Sequence, residues 1–185
     1  MFIQTETTPN PATLKFLPGR AVLKGGTRDF RDAREAGAVS PLAARLFDID
    51  GVTGVFLGSD FVSVTKSGGE WQHLTPAVLG AIMEHFLSGK PVLLAGSDAA
   101  GAGEEFDAKD AEVVAAIKEL IETRVRPAVA NDGGDIIFHG YRAGTVYLKM
   151  HGACSGCPSS TATLRNGIEN LLKHFIPEVE AVQAV

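Results

Sequence analysis

His151-Gly152-Ala153-Cys154-Ser155-Gly156-Cys157-Pro158 is the stretch on which the reading of this chain turns, because it holds both of its cysteines, three positions apart. Proline suits the first position of a helix, where its missing N–H costs nothing, so the stretch reads as a turn that leaves a strand and opens a helix at Pro158. Cys157 then falls at the N-cap, with its sulfur facing the positive end of the helix dipole, which lowers a thiol's pKa. Gly152 and Gly156 let the backbone come close to sulfur and leave N–H groups free to bond it.

The flanking sequence supports that placement. Upstream, Ile136–Tyr141 and Thr145–Met150 predict a hairpin across Arg142-Ala143-Gly144, with Val146, Leu148 and Met150 alternating onto one face. Asn131-Asp132-Gly133-Gly134-Asp135 is a turn cluster, and Asp132 and Asp135 read as turn and strand-entry residues rather than ligands. Further back, Asp110 caps a helix carrying Val113, Ile117, Leu120 and Ile121, broken or kinked at Pro127. Downstream, Leu164, Ile168, Leu171, Leu172 and Phe175 form a core-facing helical stripe that Pro177 ends, and Val179–Val185 offers a last strand. The order is α-β-β-α-β over residues 111–185.

Charge divides the rest of the chain. Residues 1–93 are neutral, 111–185 carry a net −1, and 94–110 hold Asp98, Glu104, Glu105, Asp107 and Asp110 against Lys109 alone, a net −4. That Gly/Ala-rich acidic segment has little apolar surface to bury and is expected to be a flexible linker. Residues 1–93 read as a second small α+β domain. Its expected elements are strands at Phe2–Glu6 and Ala12–Phe16, a helix opening at Ser40-Pro41, a hairpin of Val52–Leu57 and Phe61–Lys66, and a helix opening at Thr75-Pro76. The fold class expected is α+β: two small domains joined by a flexible acidic linker.

Composition narrows function. A 45% hydrophobic, 21% charged chain is globular, and its net charge of −5 argues against nucleic-acid binding through a phosphate field. No apolar run approaches the roughly 18–20 residues of a membrane span, so no membrane partner is expected. Met1–Glu6 lacks a basic-then-apolar leader, which points to a reducing compartment where a structural disulfide is out of place.

Thiolates three apart on one turn can share a metal centre, and zinc and iron–sulfur chemistry both accept that donor set. Either wants four protein sulfurs, and one chain has two. The five histidines show no ligand spacing, although His151 stands close to Cys154. The simplest completion is symmetric, with two chains each contributing Cys154 and Cys157. Two rivals stay open: a zinc-bridged dimer, and a thioredoxin-like dithiol oxidoreductase, whose site is also strand–CxxC–helix. Against the latter, α-β-β rather than βαβ precedes the motif, and no later hairpin proline follows.

Asp132-Gly-Gly-Asp135, Gly152-Ala-Cys-x-x-Cys-Pro-Ser-Ser160, Thr163-Leu-Arg-x-Gly-Ile-Glu169 and Pro177-Glu-Val179 together resemble the C-terminal domain of NifU, as found in Nfu-type iron–sulfur scaffold proteins. Thr8-Pro-Asn-Pro11, Leu14-Lys-Phe16 and the Gly51–Phe56 hairpin are similar to the N-terminal domain of two-domain Nfu proteins. The resemblance implies a non-enzymatic carrier with Cys154 and Cys157 as ligands. It would hold a [4Fe–4S] cluster, or a [2Fe–2S] cluster, between the two chains of a homodimer that forms on cluster binding. It would receive clusters from upstream assembly machinery and pass them to apo iron–sulfur proteins by ligand exchange. The expected compartment is a bacterial cytosol, or the mitochondrial matrix if a presequence has been removed.

Overall fold

In the computed structural model, which describes residues 1–97 and 103–185, the chain divides into two units, Met1–Ala100 and Gly101–Val185. The second unit is built on the predicted hairpin. β7 (Gly134–Arg142) and β8 (Thr145–Gly152) run antiparallel, joined by Ala143 and Gly144, both with positive φ. A two-residue turn of that hand matches the strands' own twist, and glycine at its second position removes the steric penalty there. β9 (Ala181–Ala184) adds parallel to β8.

Helices cover one face of this sheet. α4 (Ala111–Leu120) and α5 (Arg126–Asn131) are joined through one π-helical turn, Ile121–Val125, so the predicted break at Pro127 is a bulge just before it. Proline has no N–H to bond back, and the wider turn absorbs the mismatch. The bulge also keeps Ile117, Ile121, Val125 and Val129 buried on one side as the helix proceeds. α6 (Pro158–Phe175) supplies Ile168 and Leu172 to the same core. Phe175, expected in that stripe, is instead 48% exposed and lies beneath the Arg124 guanidinium, 5.0 Å from its ring centre. The buried line runs through Ile168, Leu172 and Ile176 at four-residue spacing, and Phe175 falls to the side of it.

The first unit is a five-stranded antiparallel sheet in the order β1-β2-β5-β4-β3: β1 (Gln4–Thr7), β2 (Thr13–Leu17), β3 (Arg28–Phe30), β4 (Val52–Leu57) and β5 (Val62–Lys66). α1 (Ala33–Val39), α2 (Pro41–Phe47) and α3 (Trp71–Ser88) accompany it, and Leu42, Leu46, Val78 and Ile82 are fully buried in its core. Ser40 caps α2, its hydroxyl accepting from the Ala43 N–H at 3.1 Å. α3 starts at Trp71, a turn before the predicted Thr75-Pro76, and carries Pro76 inside it. Trp71 packs on the core and its indole N–H donates to the Pro11 carbonyl at 3.1 Å, a tertiary anchor that outweighs the local proline signal. β3 and α1 are too short to show a period in sequence.

Of the segment expected as a linker, 98–102 lie outside the described residues. Both described flanks are structured. The Leu94 N–H donates to the Val39 carbonyl at 2.8 Å. β6 (Glu105–Phe106) pairs parallel with β7, giving the sheet order β6-β7-β8-β9, and a 3₁₀ turn at Ala108–Asp110 leads into α4. The Phe106 ring meets Phe138 edge-on, Lys118 bonds Glu104 at 2.6 Å, and Gly140 has no side chain to obstruct the Glu105 carbonyl. These contacts hold residues 104–106 against the β7 edge, where composition alone suggests a free coil.

Candidate metal centre

The two cysteines sit on the turn between β8 and α6, but in different environments. Cys157 is the N-cap of α6, followed by Pro158 in the first turn, as the sequence predicts. Its sulfur is partly exposed, 3.4 Å from the Ser159 hydroxyl. The hydroxyls of Ser159 and then Ser160, with the Ser160 N–H, bring its thiol down to about 7. Hydrogen bonds to the charged form explain the direction.

Cys154 points the other way. It is buried, at 6% exposure, and belongs to the unit's apolar core. Burial first, and then the charges of Asp132 and Asp135, push its thiol up to about 12. One turn therefore presents one sulfur ready to react at neutral pH and one held protonated beneath the surface.

The turn's shape comes from both sides. Gly152 and Gly156 have φ of +64° and +87°, conformations that glycine adopts without strain. The Ser155 N–H and hydroxyl both bond the Gly152 carbonyl, at 3.2 and 3.0 Å. The Thr161 hydroxyl donates to the Cys154 carbonyl at 3.0 Å and the Thr161 N–H to the Cys157 carbonyl at 2.9 Å, tying the turn to α6. Immediately before β7, the Gly133 carbonyl accepts from the Ala153 N–H at 3.2 Å. Gly134 faces Cys154 so closely that a side chain there would collide with its sulfur.

Asp135 and Arg126 form the base of the site. Asp135 is 3% exposed, and its carboxylate accepts from Arg126 Nε at 2.8 Å and Nη2 at 2.7 Å, a bidentate pair. It also accepts from the Ile136 N–H at 2.8 Å, while Arg126 reaches Glu122 at 2.7 Å. These bonds raise the Arg126 pKa above its ordinary value despite burial. The pair fixes α5 to the first residues of β7, and thereby the strand entrance that cradles Cys154. Asp135 is thus more than the strand-entry residue read from sequence. Arg126 carries no sequence signal, because its partner lies across a helix-to-strand turn.

His151 stands on β8 opposite Asp135, half-buried. His85 is buried in the other unit, its Nε2 without a hydrogen-bond partner among the described residues. Among the described residues, no group of three or more His, Cys, Asp or Glu side chains is placed to hold a metal ion.

Comparison with known proteins gives a consistent outcome. Residues 3–89 match the family described as "Scaffold protein Nfu/NifU N terminal", and residues 117–183 match the "NifU-like domain". The "NFU1 iron-sulfur cluster scaffold homolog, mitochondrial" of Drosophila sechellia is 54% identical over 188 residues, covering 100% of this chain and 65% of that protein. The Homo sapiens protein of the same name is 50% identical over 187 residues, covering 100% and 72%. "NifU-like protein 4, mitochondrial" of Arabidopsis thaliana is 50% identical over 186 residues, covering 99% and 65%. The chain therefore spans 65% of the length of the fly and plant relatives. A solution NMR structure of a NifU-like protein from Saccharomyces cerevisiae aligns with 51% of this chain and 86% of its own, at 25% identity and a TM-score of 0.46.

Proposed function

The chain belongs to the Nfu/NifU family of iron–sulfur scaffold proteins, and from that premise we propose that it is a non-enzymatic carrier of a [4Fe–4S] cluster. Cys154 and Cys157 would be its ligands, and two copies of the chain would hold the cargo between them. The observation that carries this reading is the placement of Cys157, partly exposed at a helix N-cap with Cys154 on the same turn. A bound cubane with four thiolates carries about two negative charges, and the α6 terminus and the hydroxyls of Ser159 and Ser160 favour negative charge at that position.

The asymmetry between the thiols orders the loading. Cys157 engages iron first, because its thiolate is accessible and stabilised. Cys154 follows when the glycine-flanked turn lifts its sulfur out from against Gly134 and iron takes the place of its proton. Unloading runs in reverse: thiolates of the apo-recipient replace Cys154 and Cys157 one at a time, and no covalent enzyme intermediate forms. A cluster held on a turn by two sulfurs per chain is easier to release than one enclosed by a single chain. Upstream assembly machinery would supply the cargo, and apo iron–sulfur proteins would receive it. The relatives' names place them in mitochondria, and the matrix is the compartment we read for this chain.

Anaerobic reconstitution with iron and sulfide tests the reading. It should give about two irons per chain, a cubane's four shared by two chains, and a dimer by sedimentation. Cys154→Ser and Cys157→Ser should each abolish stable loading. Four irons per chain on a monomer would overturn the bridged arrangement, and zinc retained in preference to iron would overturn the cargo.

A further inference from the structure

A groove of about 560 Å³ runs from Cys157 along α6, with Pro158, Thr161 and Arg165 on one wall and Gln183 and Ala184 of β9 on the other. Arg165 is the only Lys, Arg, Asp or Glu among the described lining residues. It is exposed and forms no ion pair among the described residues; its guanidinium makes a long 3.5 Å contact with the Asn166 side chain. Glu169, one turn further on, is engaged by Lys173 at 2.6 Å and by the Val182 N–H at 3.1 Å. Arg165 acts on Glu169 only through its charge and without an ion-pair contact, so a single exposed cation lies in a groove that no described carboxylate lines, in a chain whose net charge is −5.

Pro158, Thr161 and Arg165 recur at helical spacing, so all three lie along the same side of α6 as Cys157. Eight residues of helix separate Cys157 from Arg165, a rise of about 12 Å. An extended chain covers about 13 Å in four residues. The walls between are small side chains with one amide, Gln183, which leaves room for a main chain.

We propose that this groove seats the recipient: an extended segment of the apo-protein with a cysteine at the Cys157 end and a carboxylate about four residues away, held by Arg165. The proposal rests on the carrier reading of the same site and adds a recognition element to it. Arg165 is a positioning residue here. It brings the incoming thiol to the cargo and plays no part in the ligand exchange. A guanidinium–carboxylate bond of this kind, partly exposed to water, gives selectivity of a few-fold rather than tight binding.

The test uses the full-length, reduced, ¹⁵N-labelled chain and two synthetic dodecapeptides. Each peptide has one cysteine, with either Glu or Gln four residues from it. The Glu peptide should shift the amide signals of Thr161, Arg165, Gln183 and Ala184 and bind about fivefold more tightly than the Gln peptide. Arg165→Gln should erase that difference, and Arg165→Glu should transfer the preference to a peptide with Lys in place of Glu. Equal affinity of the wild-type chain for both peptides overturns the proposal. So does a loss of cluster-dependent dimerisation in Arg165→Gln without loss of peptide discrimination, because the groove would then belong to the second copy. Reconstitution of the same sample keeps the two ideas apart. If clusters load normally while the peptides are not distinguished, the groove proposal falls and the carrier reading stands. If the peptides are distinguished while no cluster loads, the groove binds such a segment but the carrier reading falls, and the recipient role of the segment falls with it.

Discussion

Gly134 and Cys154 are packed so closely that a Cβ on residue 134 would stand 2.5 Å from the cysteine sulfur and 2.7 Å from the His151 carbonyl oxygen. Neither neighbour is the free end of a flexible side chain, so the turn or the strand must move to admit even one methyl group. The glycine is needed here for space; its backbone conformation is ordinary for a strand.

Gly134→Ala should therefore destabilise the second unit by about 1–3 kcal/mol, the usual range for overpacking a tight core site. It should also push Cys154 outward. Urea unfolding checks the first effect, and alkylation of Cys154 in the folded protein checks the second. Unchanged stability together with a still-protected Cys154 would contradict the packing described.

Removing Arg126 leaves the Asp135 carboxylate buried without its bidentate partner. Arg126→Met should cost about 3 kcal/mol, the low end of the range for breaking a buried pair, since the arginine side chain is 28% exposed. The double variant Arg126→Met/Asp135→Asn should recover much of that loss, because no unpaired charge remains. If the double variant is as unstable as the single one, the pair's role is not electrostatic.

The two thiols should titrate apart. Iodoacetamide labelling of Cys157 should accelerate as pH rises through about 7 and level off a unit or so above, because the thiolate is the reacting form. Cys154, pushed up to about 12 and buried, should be labelled far more slowly than Cys157 while the unit stays folded, reacting only when the turn opens. Ser159→Ala removes the largest stabilising bond to the Cys157 thiolate and should move the inflection to higher pH. Fragmentation of the tryptic peptide 150–165, which carries both cysteines, reads all three by mass spectrometry, and equal labelling of both cysteines at pH 7 would refute the asymmetry.

Gly140→Ala should release β6 from the edge of β7, since its Cβ would lie 2.6 Å from the Glu105 carbonyl oxygen. Residues 105 and 106 are exposed and make a two-residue ladder, so melting of the unit should barely shift. Amide exchange of the β6 segment and the β7 edge should become fast while the β7–β8 pairing stays protected. Slow exchange in the variant would show that β6 docks by other contacts.

The β7–β8 hairpin, α6 and the N-cap position of Cys157 were legible in the chain because each rests on a local rule. Alternating Val146, Leu148 and Met150 face one way whatever they pack on, and Pro158 opens a helix without reference to distant residues. Where reading was incomplete, a distant partner supplied the missing information. α3 begins early because Trp71 bonds the Pro11 carbonyl, and β6 forms because Phe106 finds Phe138 and Glu104 finds Lys118. An acidic, glycine-rich composition describes the average behaviour of such a segment and is silent about two residues that meet specific neighbours.

By itself, the sequence established that this protein has a pair of sulfurs on a strand–helix turn, too few for a four-thiolate site, within a NifU-like unit joined to a second domain. The N-cap position before Pro158 already marked Cys157 as the more acidic thiol. Only the tertiary structure decided that Cys154, three residues away, is buried with its thiol pKa pushed up. The difference comes from Gly134, Asp132 and Asp135, which the hairpin register brings beneath one sulfur while helix α6 presents hydroxyls and an N–H to the other. Burial and hydrogen bonding are properties of what surrounds a group in space, so they appear only once the chain has folded.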